Sequence, residues 1–163
     1  MIDLLNIEKY KENNQIEAKK ATGGLPESLW ETYSAFANTK GGVILLGVEE
    51  YPDKSLHPVD LPDPEWLIID FWDSIENPQK VSLNILKEED VSVHNIHGSH
   101  IISINVPEAL PKQKPIYIGD NIISGTYRRD GDGDYRCNFR EILDMLNSEQ
   151  QHRIIVPLSS YYV

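Results

Sequence analysis

Hydrophobic positions along the chain follow two periods, and the switch between them marks the elements. Residues 2–11 read as a short helix, and QIEAKKA then sets Ile16 and Ala18 against Glu17 and Lys19, the period of a half-buried strand. After Gly23-Gly24, Pro26 and Glu27 suit a first helical turn. Leu29, Trp30, Tyr33, Phe36 and Ala37 follow at helical spacing as one apolar stripe. That helix should end near Asn38, because Asn38, Gly41 and Gly42 tolerate the positive φ of a reversing chain. VILLGV comes next as an unbroken apolar run, the pattern of a strand covered on both faces. Gly47 inside that run predicts a bulge or a close approach to the backbone.

Prolines and aspartates from Tyr51 to Pro64 read as a surface loop, and PEWLIIDFWDSIENP as an amphipathic helix closed by Asn77-Pro78. Trp30, Tyr33, Trp66 and Trp72 take helical apolar positions and are expected in the core. VSVHNIHG and HIISINV form two strands joined through Gly98; IISGTYRR is a further strand running into an Asp/Gly loop, DGDGDYRC. NFREILDMLNSEQ closes the pattern as a helix, with Asn138 and Glu141 at capping-box spacing. The fold class is α+β, with helices flanking one mixed sheet in a single domain. The tail QQHRIIVPLSSYYV ends in apolar and aromatic residues, which suits an N-terminal piece of a longer protein.

Charge changes this picture in one respect. A net charge of -11 argues against polyanion binding, which relies on Lys and Arg neutralising phosphates. Yet residues 1–48 hold 5 basic and 6 acidic side chains, residues 49–109 hold 3 and 13, and residues 110–163 hold 7 and 7. The acid sits in the middle, so the two ends can build a basic face and the middle can meet a basic partner. No apolar run is long enough for a membrane span or a signal peptide, and a cytoplasmic location with no membrane partner is expected. The single cysteine, Cys137, has no companion for a disulfide or a zinc site.

Four motifs in the chain have the residue types of a chemical site. Asp130, Asp132, Asp134 and Glu141 match positions 1, 3, 5 and 12 of a calcium loop, but Tyr135 stands where glycine is needed. His94, His97 and His100 alternate around a turn and need not face one another. Gly23-Gly24-Leu25 lacks the Gly-Lys-Ser/Thr ending of a nucleotide-binding loop. Lys19, Lys20 and Lys40 beside the glycine turns, with Arg128 and Arg129 at the end of the late strand, are the candidate phosphate contacts.

IEAKK, SAFANTKGG, VILLGVEE, VPEALPKQKPIYI and TYRRDGDGD, in this order over about residues 12–146, resemble the Schlafen-type, Alba-like (AlbA_2) domain. The resemblance implies an N-terminal module of bacterial transcriptional regulators and RecG-like, helicase-related proteins, binding DNA or RNA, with pairing of two copies. Animal Schlafen relatives imply an alternative, an endoribonuclease using Mg²⁺ or Mn²⁺ held by three carboxylates. Carried over, those carboxylates are Glu12, Glu17 and Glu50, the last a methylene longer than the family's aspartate, with Lys19 beside the phosphate. A third reading makes the acidic residues 49–109 a protein-interaction surface.

Overall fold

The helix, glycine turn and strand around SAFANTKGG form one packed unit in the computed structural model of the chain, which describes residues 2–148. α1 (Ser28–Asn38) buries Leu29, Trp30, Tyr33, Phe36 and Ala37 and ends at Thr39. Gly41 takes φ 73°, its N–H returns to the Phe36 carbonyl at 2.7 Å, and β2 (Gly42–Leu46) starts at once. A Cβ on Gly41 would lie 2.6 Å from the Val106 carbonyl oxygen, and one on Gly42 would meet the Phe36 ring. Only glycine lets the helix return this close to the sheet.

The main sheet has the order β1 (Ile16–Lys19), β2, β6 (Ser99–Val106), β5 (Val91–Ile96), with β1 parallel to β2 and the other pairs antiparallel. Alternation gives each strand two faces. One carries Ile44, Leu46, Ile102 and Ile104 toward α1 and α2 (Pro64–Ile75). The other carries Ile16, Leu45, Ile96 and Ile101 against Ile7, Val48 and Leu56. Apolar burial on both faces stabilises the sheet at about 25 cal/mol per Å² removed from water.

Several expected elements differ. Residues 2–11 give a six-residue 3₁₀ stretch, Leu4–Lys9, broken at Asn6, whose side chain bonds Asp3. VILLGV is not one strand. At Gly47 (φ 80°) the chain leaves the main sheet, and only glycine fits, because a Cβ there would strike the Leu61 side chain at 2.7 Å. It continues as β3 (Val48–Glu50), which pairs with β4 (Leu56–Pro58), a strand inside the expected loop. Ile122–Gly125 is a helical turn, α3, not strand, and Asn121 caps it. DGDGDYRC is a hairpin: β7 (Tyr127–Asp130) pairs with β8 (Gly133–Arg136), separate from the main sheet. Among the described residues the single-sheet expectation thus becomes one four-stranded and two two-stranded sheets. Trp66 is 64% exposed, on the outward side of α2, while Leu67, Phe71 and Ile75 are buried. A further helix, α4, covers residues 139–148, with the reciprocal Asn138–Glu141 capping bonds both formed at 2.8 Å. The tail beyond it, with Arg153, lies outside the described residues.

Candidate nucleic-acid interface and carboxylate cluster

β1 is an edge strand, and its outward groups meet side chains. Residues 15 and 19 bond β2 through their carbonyls, so Ile16 and Ala18 present their backbone groups outward. The Ala18 N–H donates to Glu12 Oε2 at 2.8 Å, and the Ile16 carbonyl accepts from Asn13 N at 3.0 Å and Arg129 Nη2 at 3.1 Å. Glu12 therefore caps a strand edge. Its carboxyl, half buried, is pushed up to about 8 by burial first, then by hydrogen bonding and repulsion from Glu17 and by hydrogen bonding from Glu50. Glu17 and Glu50 thus both act on the Glu12 carboxyl.

Glu17 is held from the other side. Arg129 Nη1 donates to Glu17 Oε1 at 2.7 Å and to Asp134 Oδ1 at 2.8 Å; Nε and Nη2 donate to the Asn13 carbonyl, and the guanidinium lies 4.9 Å from the centre of the Phe36 ring. With Nη2 also on Ile16, every donor position of the group is used, and the side chain is fully buried. Burial alone would lower its pKa, but the bonds and charges of Glu17 and Asp134 raise it above the ordinary arginine value. Arg129, expected as a phosphate contact, is an internal tie, and β1 shows no polar outer face: Glu17 is buried at 9% exposure.

The other candidate cations divide between two places. Lys19 Nζ donates to Ser28 Oγ at 3.0 Å and lies 3.9 Å from Glu17 Oε2, and Lys20 is exposed at the start of the loop to α1. Lys40 is exposed at the other end of β1, its carbonyl accepting from Gln15 Nε2. Arg128 is partly exposed and spent on Glu141 at 2.9 Å, with its guanidinium 5.5 Å from the Tyr135 ring centre. Among the described residues these cations do not form a single basic face.

In kind, three carboxylates suit Mg²⁺ or Mn²⁺. Among the described residues no group of three His, Cys, Asp or Glu side chains stands out as a metal site, and both Glu17 oxygens already face cations. Asp134 is committed to Arg129 and Thr32, and Glu141 to Asn138, which dissolves the calcium-loop pattern. The histidines disperse: His94 bonds Ser103, His97 sits in the turn at φ 52°, and His100 bonds Asp60. The Cys137 thiol is buried and pushed up to about 11, mainly by burial.

SAFANTKGG proves to be a clamp as well as a turn. Ser34 Oγ donates to the Ile116 carbonyl and accepts from Tyr127 N; Asn38 donates to the Ile116 and Tyr127 carbonyls and accepts from Ile116 N; Thr39 Oγ1 accepts from Arg129 N. These bonds dock β7 on α1 and so aim Arg129 at β1. The profile of the family described as Schlafen, AlbA_2 matches residues 12–138, which spans this clamp, the carboxylate cluster and the Arg129 hairpin. The chain belongs to the Schlafen AlbA_2 family.

The N-terminal domain of a protein from Nitrosomonas europaea, named for its relation to the ATP-dependent DNA helicase RecG, is similar to this AlbA_2 domain at 33% identity and a TM-score of 0.61. The match covers 83% of this chain and 91% of that one. The DIP2311 protein from Corynebacterium diphtheriae shares the fold at 18% identity and a TM-score of 0.51. There the match covers 85% of this chain and 24% of that one. No curated protein sequence matches. Among the described residues no helix is long and apolar enough to cross a membrane.

Sequence reasoning missed Asn13, Thr32 and Asp134 as partners of the site. Only Asp134 carries a signal, an acid across the hairpin from an arginine in YRRDGDGD.

Proposed function

We propose that this AlbA_2 domain binds nucleic acid, with phosphates received by the loop that joins β1 to α1. The observation that carries the reading is the Lys19–Ser28 contact at 3.0 Å, which brings the strand's lysine to the start of α1. No side chain caps that helix start, so the partial positive charge of the helix end is left to the same loop. Lys20 is exposed beside it, and a Cβ at Gly23 or Gly24 would meet nothing within 4 Å, so the backbone is open to a large ligand. The helicase-related name of the similar Nitrosomonas domain supports a nucleic-acid role for this chain. Lys40 is exposed at the opposite end of β1, its carbonyl on Gln15, and serves as a secondary contact.

Fluorescence anisotropy with labelled single-stranded and duplex DNA and RNA tests this. Binding is expected to weaken steeply with salt, and Lys19→Ala with Lys20→Ala to weaken it about tenfold or more, Lys40→Ala less. No binding to any of the four ligands at low salt would retire the proposal. Its finer form, a DNA-binding module of a transcriptional regulator in the cytoplasm, requires preference for duplex DNA in the same assay.

A second reading, divalent-metal-dependent RNA cleavage, follows from the family resemblance and from Glu17 and Glu50 both acting on the Glu12 carboxyl. It requires Glu12 to lose its proton and Glu17 to be shared between a metal and Arg129. RNA cleavage that depends on added Mn²⁺ and vanishes in Glu12→Gln would support it. Cleavage that survives that substitution would remove it.

A further inference from the structure

The two edges of the main sheet are finished differently. β1 is four residues long, and side chains occupy its outward groups. β5 is six residues long with no charged residue and no proline, so it lacks the usual guards against strand addition.

Its register shows which groups are open. His100 lies opposite Asn95, yet its N–H bonds Asp60 and its carbonyl bonds Leu61 N, both away from β5. Asn95 and His100 are therefore a pair without mutual bonds, and by alternation so are Val93 with Ile102 and Val91 with Ile104. The N–H and C=O groups of Val93 and Asn95 point outward, and among the described residues no backbone bond uses them. Val91 has its N–H on Glu88 and its carbonyl outward. Val93 leaves its side chain 40% exposed on the face covered by α1 and α2.

The surroundings say what would fit. Glu88, Glu89 and Asp90 immediately precede the strand. At the other end, a cavity of about 490 Å³ is lined by Asp60, Asp63, Glu65, Val93 and His100. Asp60 is held below the usual carboxylate range, chiefly by its bonds from the His100 backbone and ring, so that end stays anionic. Lys87 is the nearby basic residue of the stretch. A neutral strand edge with acids at both ends complements an extended segment with an apolar middle and basic ends. A second copy of this chain would instead bring like charges together.

We infer that β5 is a docking edge for an extended, basic-ended segment of a partner protein, which adds to the main sheet as a fifth strand beside Val91, Val93 and Asn95. The added strand exchanges backbone hydrogen bonds with Val93 and Asn95 and lays an apolar side chain on Val93, while its Lys or Arg residues meet the two acidic ends. This edge is opposite the one that carries Lys19 and Lys20, and the inference does not rest on the nucleic-acid reading.

The probe is the capped peptide Lys-Val-Thr-Val-Thr-Val-Lys against the full chain, followed by amide exchange and calorimetry. The expected result is slowed exchange at Val93 and Asn95, affinity that falls with added salt, at least tenfold weaker binding of the same peptide with glutamate ends, and at least tenfold weaker binding by Val93→Pro. Peptide binding that leaves the Val93 and Asn95 amides unchanged overturns the inference. So does slow exchange at those amides without peptide that accompanies a doubled sedimenting mass, which would assign the edge to a second copy. Should Val93→Pro fail to fold, the amide measurement on the unsubstituted chain decides by itself.

Discussion

Arg129 and Glu17 meet at 2.7 Å inside the protein, one side chain fully buried and the other 12% exposed, across 112 residues of chain. The pair is worth keeping only as a pair, because removing one member leaves the other charged and unsolvated. Here Asp134 and two backbone carbonyls share the same guanidinium, so its loss strands several groups at once.

Arg129→Ala is therefore expected to lower unfolding free energy by about 3–5 kcal/mol. Arg129→Lys should recover part of this, since an ammonium keeps the charge without the planar fork. Urea denaturation followed by circular dichroism measures both. A loss below about 1 kcal/mol for Arg129→Ala would show that water reaches the site.

Glu12 gives the domain a pH dependence of unusual sign. Its carboxyl is raised from 4.5 to about 8 in the fold, so between those values the folded state holds a proton that the unfolded chain has released. Stability from this group is full below pH 4.5 and falls as pH rises through 8. The full slope would be about 1.4 kcal/mol per pH unit, and half-burial reduces the total to roughly 1–3 kcal/mol. Glu12→Gln keeps an acceptor for the Ala18 N–H and is neutral at every pH. Urea midpoints from pH 5 to 9 should decline in the natural chain and stay flatter in the variant, which should be the more stable at pH 9.

The helix-turn-strand unit was legible because period, glycine and apolar run all point the same way, and α2 because its amphipathic spacing is bracketed by Pro64 and by Asn77-Pro78. The break at Gly47 was half legible: a close approach was expected there, but its agent, Leu61, lies in a stretch read as loop. β4 escaped because three residues with a proline give no periodic signal. Trp66 was misplaced because helical spacing sets a face only to within a residue, and Leu67 took the core position. At the site, the carboxylates were found through resemblance, since no local pattern joins Glu12 to Glu50. Arg129 was misjudged because adjacent arginines on a strand point to opposite faces, and sequence does not say which one goes inside.

Asn38 tests whether the clamp or the turn matters more in SAFANTKGG. Its amide donates at 2.8 Å and 2.9 Å and accepts at 2.8 Å, joining α1 to both Ile116 and Tyr127. Asn38→Ala keeps the helix but leaves two carbonyls and an N–H without that partner, at an expected cost of about 2–3 kcal/mol. Because β7 carries Arg129, amide exchange should rise first in residues 127–136, not in β2. Uniform acceleration across the sheet would mean that Asn38 acts through the turn alone.

Gly41 and Gly23 separate two uses of glycine. At Gly41 both constraints apply: φ is 73°, and a Cβ would sit 2.6 Å from the Val106 oxygen and 3.0 Å from the Glu108 nitrogen, backbone atoms that have no rotamer to change. Gly41→Ala must therefore part α1 from the end of β6, and a loss of about 3 kcal/mol or more is expected from strain and lost packing together. Gly23 has no positive φ and nothing within 4 Å of a Cβ. Gly23→Ala should leave stability unchanged or raise it by up to about 1 kcal/mol by restricting the unfolded chain. Thermal unfolding of the two variants beside the natural chain checks the contrast. If Gly41→Ala melts with the natural chain, then α1 and β6 have slack between them, and the tight return of the helix onto the sheet is not what requires glycine there.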